Sequence, residues 1–312
     1  MAAGDTATVP GTPQSLARSR PRYGEMAIKA VLMLAALVSI ATTVGIVISL
    51  LEPTIRFFGE VSAVEFFTST NWGPLFEPPH YGVLPLVSAT LITTAIAIVV
   101  AVPLGLASAI YLSEYAKPRV RKFFKPVLEV LAGIPTVVFG FFALSFVTPL
   151  LRDVLPFEIE IFNALSAGLV VGFMIIPIVA SLSEDAMSSV PNSLREGSFA
   201  LGASRMVTSL RVVLPAAFSG IVAAVILAIS RAAGETLIVY IAGGGQPNFT
   251  LDLGMAMQTM AAFIAAAGSG DVPVGTVDYD TIFAVGALLF VMTFAMNYVS
   301  ARLVRKYREV YE

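Results

Sequence analysis

Six apolar runs, each about 20 residues or longer and nearly free of charge, constrain this 312-residue chain more than any other feature. A helix needs about 20 mainly apolar residues to cross the hydrocarbon core of a bilayer. The runs cover about 27–51, 83–112, 126–149, 161–182, 216–242 and 282–303. They predict an all-α integral membrane fold of six transmembrane helices. Composition points the same way, with 57% hydrophobic and 13% charged residues, where an average soluble domain carries about 25% charged. A soluble enzyme, a disordered chain and a basic-patch nucleic-acid binder are excluded.

The formal net charge of −2 conceals a separation. Arg18, Arg20, Arg22 and Lys29 lie at the start of the chain. Lys117, Arg119, Arg121, Lys122 and Lys125 follow the second run, Arg195, Arg205 and Arg211 follow the fourth, and Arg302, Arg305, Lys306 and Arg308 follow the sixth. These are sixteen of the nineteen basic residues, all on one side. The opposite side holds Arg56 and Arg152 against eleven acids. Lys and Arg collect on the cytoplasmic side of membrane proteins, so both termini are expected in the cytoplasm. Residues 1–25, rich in Pro, Ser, Thr and Arg, read as a disordered cytoplasmic leader. The first run reads as an uncleaved signal anchor. Residues 26–312 are then one six-helix membrane domain.

Cysteine is absent and His80 is the one histidine, in the loop Glu77-Pro78-Pro79-His80-Tyr81. No catalytic residue, metal site or cofactor is expected from this inventory. Arg231 falls on neither side of the membrane but inside the fifth run, and Glu235 follows four residues later. On a continuous helix the two share a face and partly neutralise each other. An arginine at a helix centre in a membrane costs at least ~2.5–3.5 kcal/mol and marks a pathway by default. A guanidinium suits an oxyanion because its planar donors match two oxygens. Arg231 is therefore the expected anion contact along a translocation path, with Glu235 holding it between passages. A salt bridge that merely fixes the fifth helix is the competing reading.

Pro85, Pro103, Pro135 and Pro177 fall within the runs and predict bent helices. Gly168-Leu-Val-Val-Gly172 predicts close helix contact. The outer segment 52–82 mixes aromatics with acids and suits the membrane interface. The stretch Met255 to Ala267 is too short to span, and lies along the interface or re-enters.

The connection over 184–215 is the most organised part outside the runs. Ser189 and Pro191 mark a helix start, Leu194, Phe199 and Leu201 give an apolar stripe, and Gly202 ends the helix. A second short helix from about Ser204 carries Met206, Leu210 and Val213 before Pro215. Two short amphipathic helices joined at a glycine make a compact knob. An interfacial brace for the bundle is the alternative.

Glu196, Gly202, Leu214 and Pro215 stand at the spacing EAA-x3-G-x9-I-x-LP, so the connection resembles the EAA loop of binding-protein-dependent ABC importer permeases. Gly197-Ser198 replaces the two alanines and Val212 the isoleucine. Phe66-Phe-Thr-Ser-Thr-Asn-Trp-Gly-Pro74, Tyr81-Gly-Val-Leu-Pro-Leu86, Thr90-Leu-Ile-Thr-Thr94, Gly133-Ile-Pro-Thr-Val-Val-Phe-Gly140 and Arg231-Ala-Ala-Gly-Glu-Thr236 are similar to the membrane subunits of phosphate ABC importers. The similarity is closer to the PstC type than to its PstA-type partner. The resemblance runs from about residue 25 to the C-terminus. It implies the type I ABC importer (MetI-like) transmembrane domain, in the bacterial inner membrane. It implies four kinds of partner: a second homologous permease of PstA type, an ATPase pair of PstB type, a PstS-type phosphate-binding protein outside the membrane, and the lipid bilayer. The loop would insert into a groove on the ATPase, with Glu196, Gly202, Leu214 and Pro215 as coupling residues.

Two other functions compete. An ion-coupled secondary anion transporter would use Arg231 and Glu235 as a relay, but predicts inverted repeats, and the first three runs hold no counterpart of that pair. A membrane enzyme would need clustered acids or metal ligands at one depth, which the runs lack. An ABC permease for a different oxyanion also fits the residues. The chain has no GxxxxGK[ST] loop, since none of its five lysines follows a glycine. ATP hydrolysis therefore belongs to another chain.

Overall fold

The computed structural model describes residues 23–270 and 272–306, with side chains through Arg302. Most of the predicted leader lies outside the described residues; its last three begin α1 (Tyr23–Glu60), which carries Pro53 within it. The described residues up to Ile48 belong to one unit and form a single helix whose apolar side chains are exposed. Residues from Ser49 onward form the second.

In that second unit α1 closes against a short α2 (Ala63–Thr68) and an antiparallel hairpin, β1 (Trp72–Gly73) with β2 (His80–Tyr81), in the register Trp72 to Tyr81 and Gly73 to His80. The aromatics here were expected at the membrane interface. Phe57, Phe66 and Trp72 are instead buried against Met260, Phe263 and Val285. Trp72 meets Phe263 edge to face with ring centroids 4.9 Å apart, the arrangement that aromatic quadrupoles prefer. His80, expected in a loop, is exposed but lies in β2, opposite Gly73.

The second span is α3 (Leu84–Ile110), prolonged by a π-helical turn over Tyr111–Tyr115. Pro85 sits in its first turn, where no backbone donor is lost, and only Pro103 lies in its interior. The third span begins at Thr136 rather than near residue 126. Residues Pro118–Ala132 form a separate amphipathic helix, α4, ended by Gly133. Pro135 then stands at the N-cap of α5 (Thr136–Phe142), which continues through a π turn (Ala143–Val147) into α6 (Thr148–Val154). A glycine cap followed by proline stops one helix and starts another, and apolar content alone does not show it.

The fourth span, α7 (Ala164–Ser188), starts at Asn163, whose side chain accepts the Ser166 N–H at 2.7 Å. It packs along α3. A Cβ at Gly168 would stand 2.8 Å from Ile96 Cβ, and one at Gly172 would stand 2.9 Å from the Ala97 carbonyl. The predicted small-residue contact is therefore the α3–α7 seam. Pro177 lies inside α7 and is buried.

After the connection that carries α8 (Asn192–Ala200), α9 (Arg205–Thr208), a third π turn (Ser209–Val213) and α10 (Leu214–Ala216), the chain bends by 72° into α11 (Phe218–Ala233). The fifth run is not one helix. Sixteen residues make about 24 Å of helix, short of a full span, and a break at 234–236 precedes α12 (Leu237–Ala242). The stretch containing α13 (Met260–Ser269) does not lie along the interface but turns into the bundle, with Met260, Ala262 and Phe263 buried. The sixth span is α14 (Val277–Lys306).

The second unit thus has two chemically distinct ends. The hairpin, α13 and the start of α14 make an acidic end, where Arg56 donates to both Asp280 oxygens at 3.0 and 3.1 Å. The end of α3, α4, the end of α7 and the α8–α9 connection make a basic end.

Candidate functional site

The α8–α9 connection folds as its punctuation demands. Pro191 precedes α8, and the Ser204 hydroxyl accepts the Val207 N–H at 3.4 Å to start α9. Between them Gly202 adopts φ +80°. Its N–H donates to the Phe199 carbonyl at 2.9 Å, and the Ala203 N–H donates to the Ser198 carbonyl at 3.1 Å. This pair of bonds is the Schellman motif, whose left-handed residue is usually glycine. The Ser198 and Thr208 hydroxyls, 2.8 Å apart, tie α8 to α9.

The root of the knob is apolar. Leu194 and Leu214 pack on Met187, Val190, Val213 and Ile221. Its outer surface is apolar as well: Leu201 is 90% exposed, with Met206, Phe199, Leu210 and Val207 also open. Glu196 is exposed among them and forms no ion pair among the described residues. Of the four residues singled out by spacing, Glu196 and Gly202 sit on the exposed knob, Leu214 packs into its base, and Pro215 beside it is exposed. Exposed apolar side chains around a lone carboxylate, on a rigid projection, suit a docking surface.

Arg231 and Glu235 are not paired. Gly234 ends α11, with the Gly234 N–H donating to Ser230 at 3.3 Å and the Glu235 N–H to Ala232 at 3.2 Å. The helical i, i+4 geometry therefore stops before it reaches Glu235. Arg231 occupies the last turn of α11, exposed, about 20 Å along the helix from Phe218. Glu235 is 7% exposed and accepts the Ile238 N–H at 3.4 Å, at the start of α12. Each charge thus complements a helix end, the cation at the carbonyl terminus and the carboxylate at the amide terminus. Ser230 donates to Asn297 of α14 at 2.7 Å, placing a polar pair beside the break.

Sequence reasoning missed an ionic network at the basic end. Glu184, 1% exposed at the end of α7, receives Arg121 and Lys125 of α4 together with the Ser188 hydroxyl. Lys125 also bonds Asp185. The bond to Asp185, then Glu184, holds the Lys125 ammonium above its ordinary pKa against the cost of burial. Arg195 of α8 pairs with Glu114 of the first π turn at 2.9 Å. In the sequence these residues register only as orientation charges, because their partners lie 59 to 81 positions away.

Comparison with known proteins places this geometry. Residues 101–309 match the family described as binding-protein-dependent transport system inner membrane component. The chain is 38% identical over 277 residues to the probable ABC transporter permease protein YqgH of Bacillus subtilis, covering 86% of this chain and 88% of the relative. It is 34% identical over 247 residues to the phosphate transport system permease protein PstC of Mesorhizobium japonicum, covering 73% and 74%. PstC 1 of Mycobacterium tuberculosis is 32% identical over 281 residues, covering 79% and 83%. Among solved structures, a chain of a bacterial alginate ABC transporter superposes with a TM-score of 0.67 at 13% identity, covering 93% of this chain and 98% of that one. A chain of the MetNI methionine ABC transporter gives 0.52 at 19% identity, covering 73% and 95%. The expected transmembrane fold of ABC importers is the one observed. The chain belongs to the binding-protein-dependent transport system inner membrane component family.

Proposed function

We propose that this chain is the membrane-spanning permease subunit of an ATP-driven importer of inorganic phosphate, forming half of the translocation path. The observation that carries phosphate is the similarity, over about three quarters of the chain or more, to permeases named for phosphate transport. The α8–α9 knob supports the ATP-driven part. It offers a separate ATPase an exposed apolar surface, with Glu196 on it and Gly202 shaping it. Leu214 and Pro215 carry its movement into α11. The basic end faces the cytoplasm in this reading, as the distribution of Lys and Arg requires, and both termini lie inside a bacterial inner membrane.

Arg231 is the anion contact. Its guanidinium is exposed beside a helix break and has no ion pair among the described residues, so it is free to meet a phosphate. Glu235 does not neutralise it but secures α12, which keeps the break open. A PstA-type permease supplies the other half of the path, and a PstB-type ATPase pair binds below. Capture falls to a PstS-type binding protein, because an acid-rich outer face repels phosphate.

Phosphate uptake by Arg231→Ala and Arg231→Lys variants tests this reading, with assembly and ATP hydrolysis measured separately. Loss of uptake in the Ala variant, with partial retention in Lys, is expected of assembled complexes. Near-normal uptake by Arg231→Ala refutes the pathway role. Uptake driven by an ion gradient without ATP would favour a secondary transporter instead.

A further inference from the structure

We propose that Arg195 is the positioning residue through which movement of the α8–α9 knob reaches two membrane spans at once. It acts on the π turn that prolongs α3 through Glu114, and on the end of α7 and the link beyond it through the carbonyls of Met187 and Val190. The inference rests on the reading that the knob docks an ATPase, and goes beyond it by naming where the force enters the bundle.

The guanidinium sits where three elements converge. Nη2 donates to Glu114 Oε1 at 2.9 Å and to the Met187 carbonyl at 2.8 Å. Nη1 donates to the Val190 carbonyl at 2.6 Å and to Asn192 Oδ1 at 3.4 Å. Nε faces both carboxylate oxygens of Glu114 at 3.3 and 3.5 Å. Only arginine places five N–H donors in one rigid plane, and here they serve three elements. The side chains are 15% and 5% exposed, so water competes little for these bonds.

Each contact lies at a mechanically telling place. Met187 and Val190 belong to the last turn of α7 and to the link beyond it, where the i to i+4 ladder has ended and the Met187 carbonyl otherwise accepts only turn N–H groups, that of Val190 at 3.3 Å. A cation there also complements the negative end of the helix. Three residues, Ser189 to Pro191, separate α7 from α8, so the clamp spans the pivot itself. Glu114 lies in the π turn that prolongs α3, and π turns are local departures from α-helix that cluster at functional sites. The neighbouring Tyr115 ring receives a second knob cation, Arg205 of α9, 5.8 Å from its centroid. Both short helices of the knob thus grip adjacent residues of one π turn. Without Arg195 the knob would remain joined to α7 by the backbone but would lose its ionic hold on α3.

The test uses the full complex of both permeases, ATPase and binding protein in phosphate-loaded proteoliposome assays. Three quantities are read: ATPase recovered with the permease, ATP hydrolysed, and phosphate moved per ATP. Arg195→Lys keeps a charge for Glu114 but cannot reach both carbonyls. Its complexes are expected to assemble and hydrolyse ATP while moving at least about tenfold less phosphate per ATP, the scale of losing hydrogen bonds from a charged group. The double variant Arg195→Gln with Glu114→Gln removes both charges together and leaves no buried carboxylate unpaired. It is expected to show the same loss. A ratio within about twofold of the unmodified complex, in either assembled variant, overturns the proposal. Failure of both variants to assemble makes Arg195 a structural residue and overturns it too. Leu201→Asp separates the two readings. If ATPase recovery survives that change, the docking reading fails, whatever Arg195 does.

Discussion

Gly202 offers the sharpest test of the knob. It holds φ +80°, and a Cβ built on it meets nothing within 4 Å. Space is therefore not what excludes a side chain; backbone conformation is. An L-residue in the left-handed region costs about 1–2 kcal/mol, which corresponds to a factor of roughly 5–30 in the population of the native turn. If ATPase docking selects that turn, its apparent affinity falls by up to the same factor, because affinity scales with the competent fraction. Asparagine tolerates this conformation better than alanine does, and a β-branched residue tolerates it worst. The expected order of damage is Gly202→Asn, then Gly202→Ala, then Gly202→Val. Titrating ATPase onto the purified permease pair, together with phosphate uptake in vesicles, reads that order. A glycine needed for close approach of the ATPase would give a different one, following volume, with Ala mildest. Finding Asn more damaging than Ala refutes the backbone argument, as does binding by all three variants within about twofold of the unmodified chain.

Further outcomes follow from the packing and the charges. Gly172→Ala should destabilise the α3–α7 seam by about 1–3 kcal/mol, because the new Cβ meets the Ala97 backbone. Gly197→Ala, on the exposed face of α8 with nothing within 4 Å, should instead gain up to about 1 kcal/mol; thermal unfolding in detergent compares them. Glu184→Gln should cost about 1–3 kcal/mol, read by the same melts and by faster proteolysis at α4. The loss stays moderate because the cations it releases, Arg121 and Lys125, are 39% and 30% exposed and reach water. Tyr81 is pushed up to about 12, first by burial and then by Asp278, whose carboxylate accepts its hydroxyl at 3.2 Å. Below pH 10 the phenol is protonated in both states and contributes no pH dependence. Between pH 10 and about 12 the unfolded chain ionises first, so stability falls as pH rises. The absorbance difference between the unmodified chain and Tyr81→Phe should titrate near 12, and a midpoint near 10 refutes the assignment.

What the sequence made legible is what depends on local chemistry. The knob was readable because proline, serine and glycine act within a few residues of where they stand. The spans were readable because crossing a bilayer requires length. Breaks inside apolar runs were not, since Gly133-Ile134-Pro135 and Gly234-Glu235-Thr236 leave mean hydropathy almost unchanged. The second half of α4 falls within the third run for that reason, and the expected Arg231–Glu235 pairing needs a helix that in fact ends at Ala233. The burial of Phe57, Phe66 and Trp72 within the protein is not legible either, because composition cannot tell a lipid surface from a protein core.

The charges carry a further step. Arg121, Lys125 and Arg195 count toward orientation, yet in the fold they pair with Glu184, Asp185 and Glu114. Those three acids dilute the positive bias of the basic end, and the network is their physical reason for being there. A charge count along the sequence cannot separate the two roles, because the pairs form only when α3, α4, α7 and α8 meet. Of the described acids at that end beyond the start of α1, only Glu129 and Glu196 then lack an ion pair among the described residues. Glu129 shares a cleft with Lys122, Lys125 and Pro126 beside α4. Glu196 stands on the knob among exposed apolar side chains, open to water and to any protein that docks there. The position that resembles the family's glutamate is thus the one acid of the knob that the fold leaves unpaired.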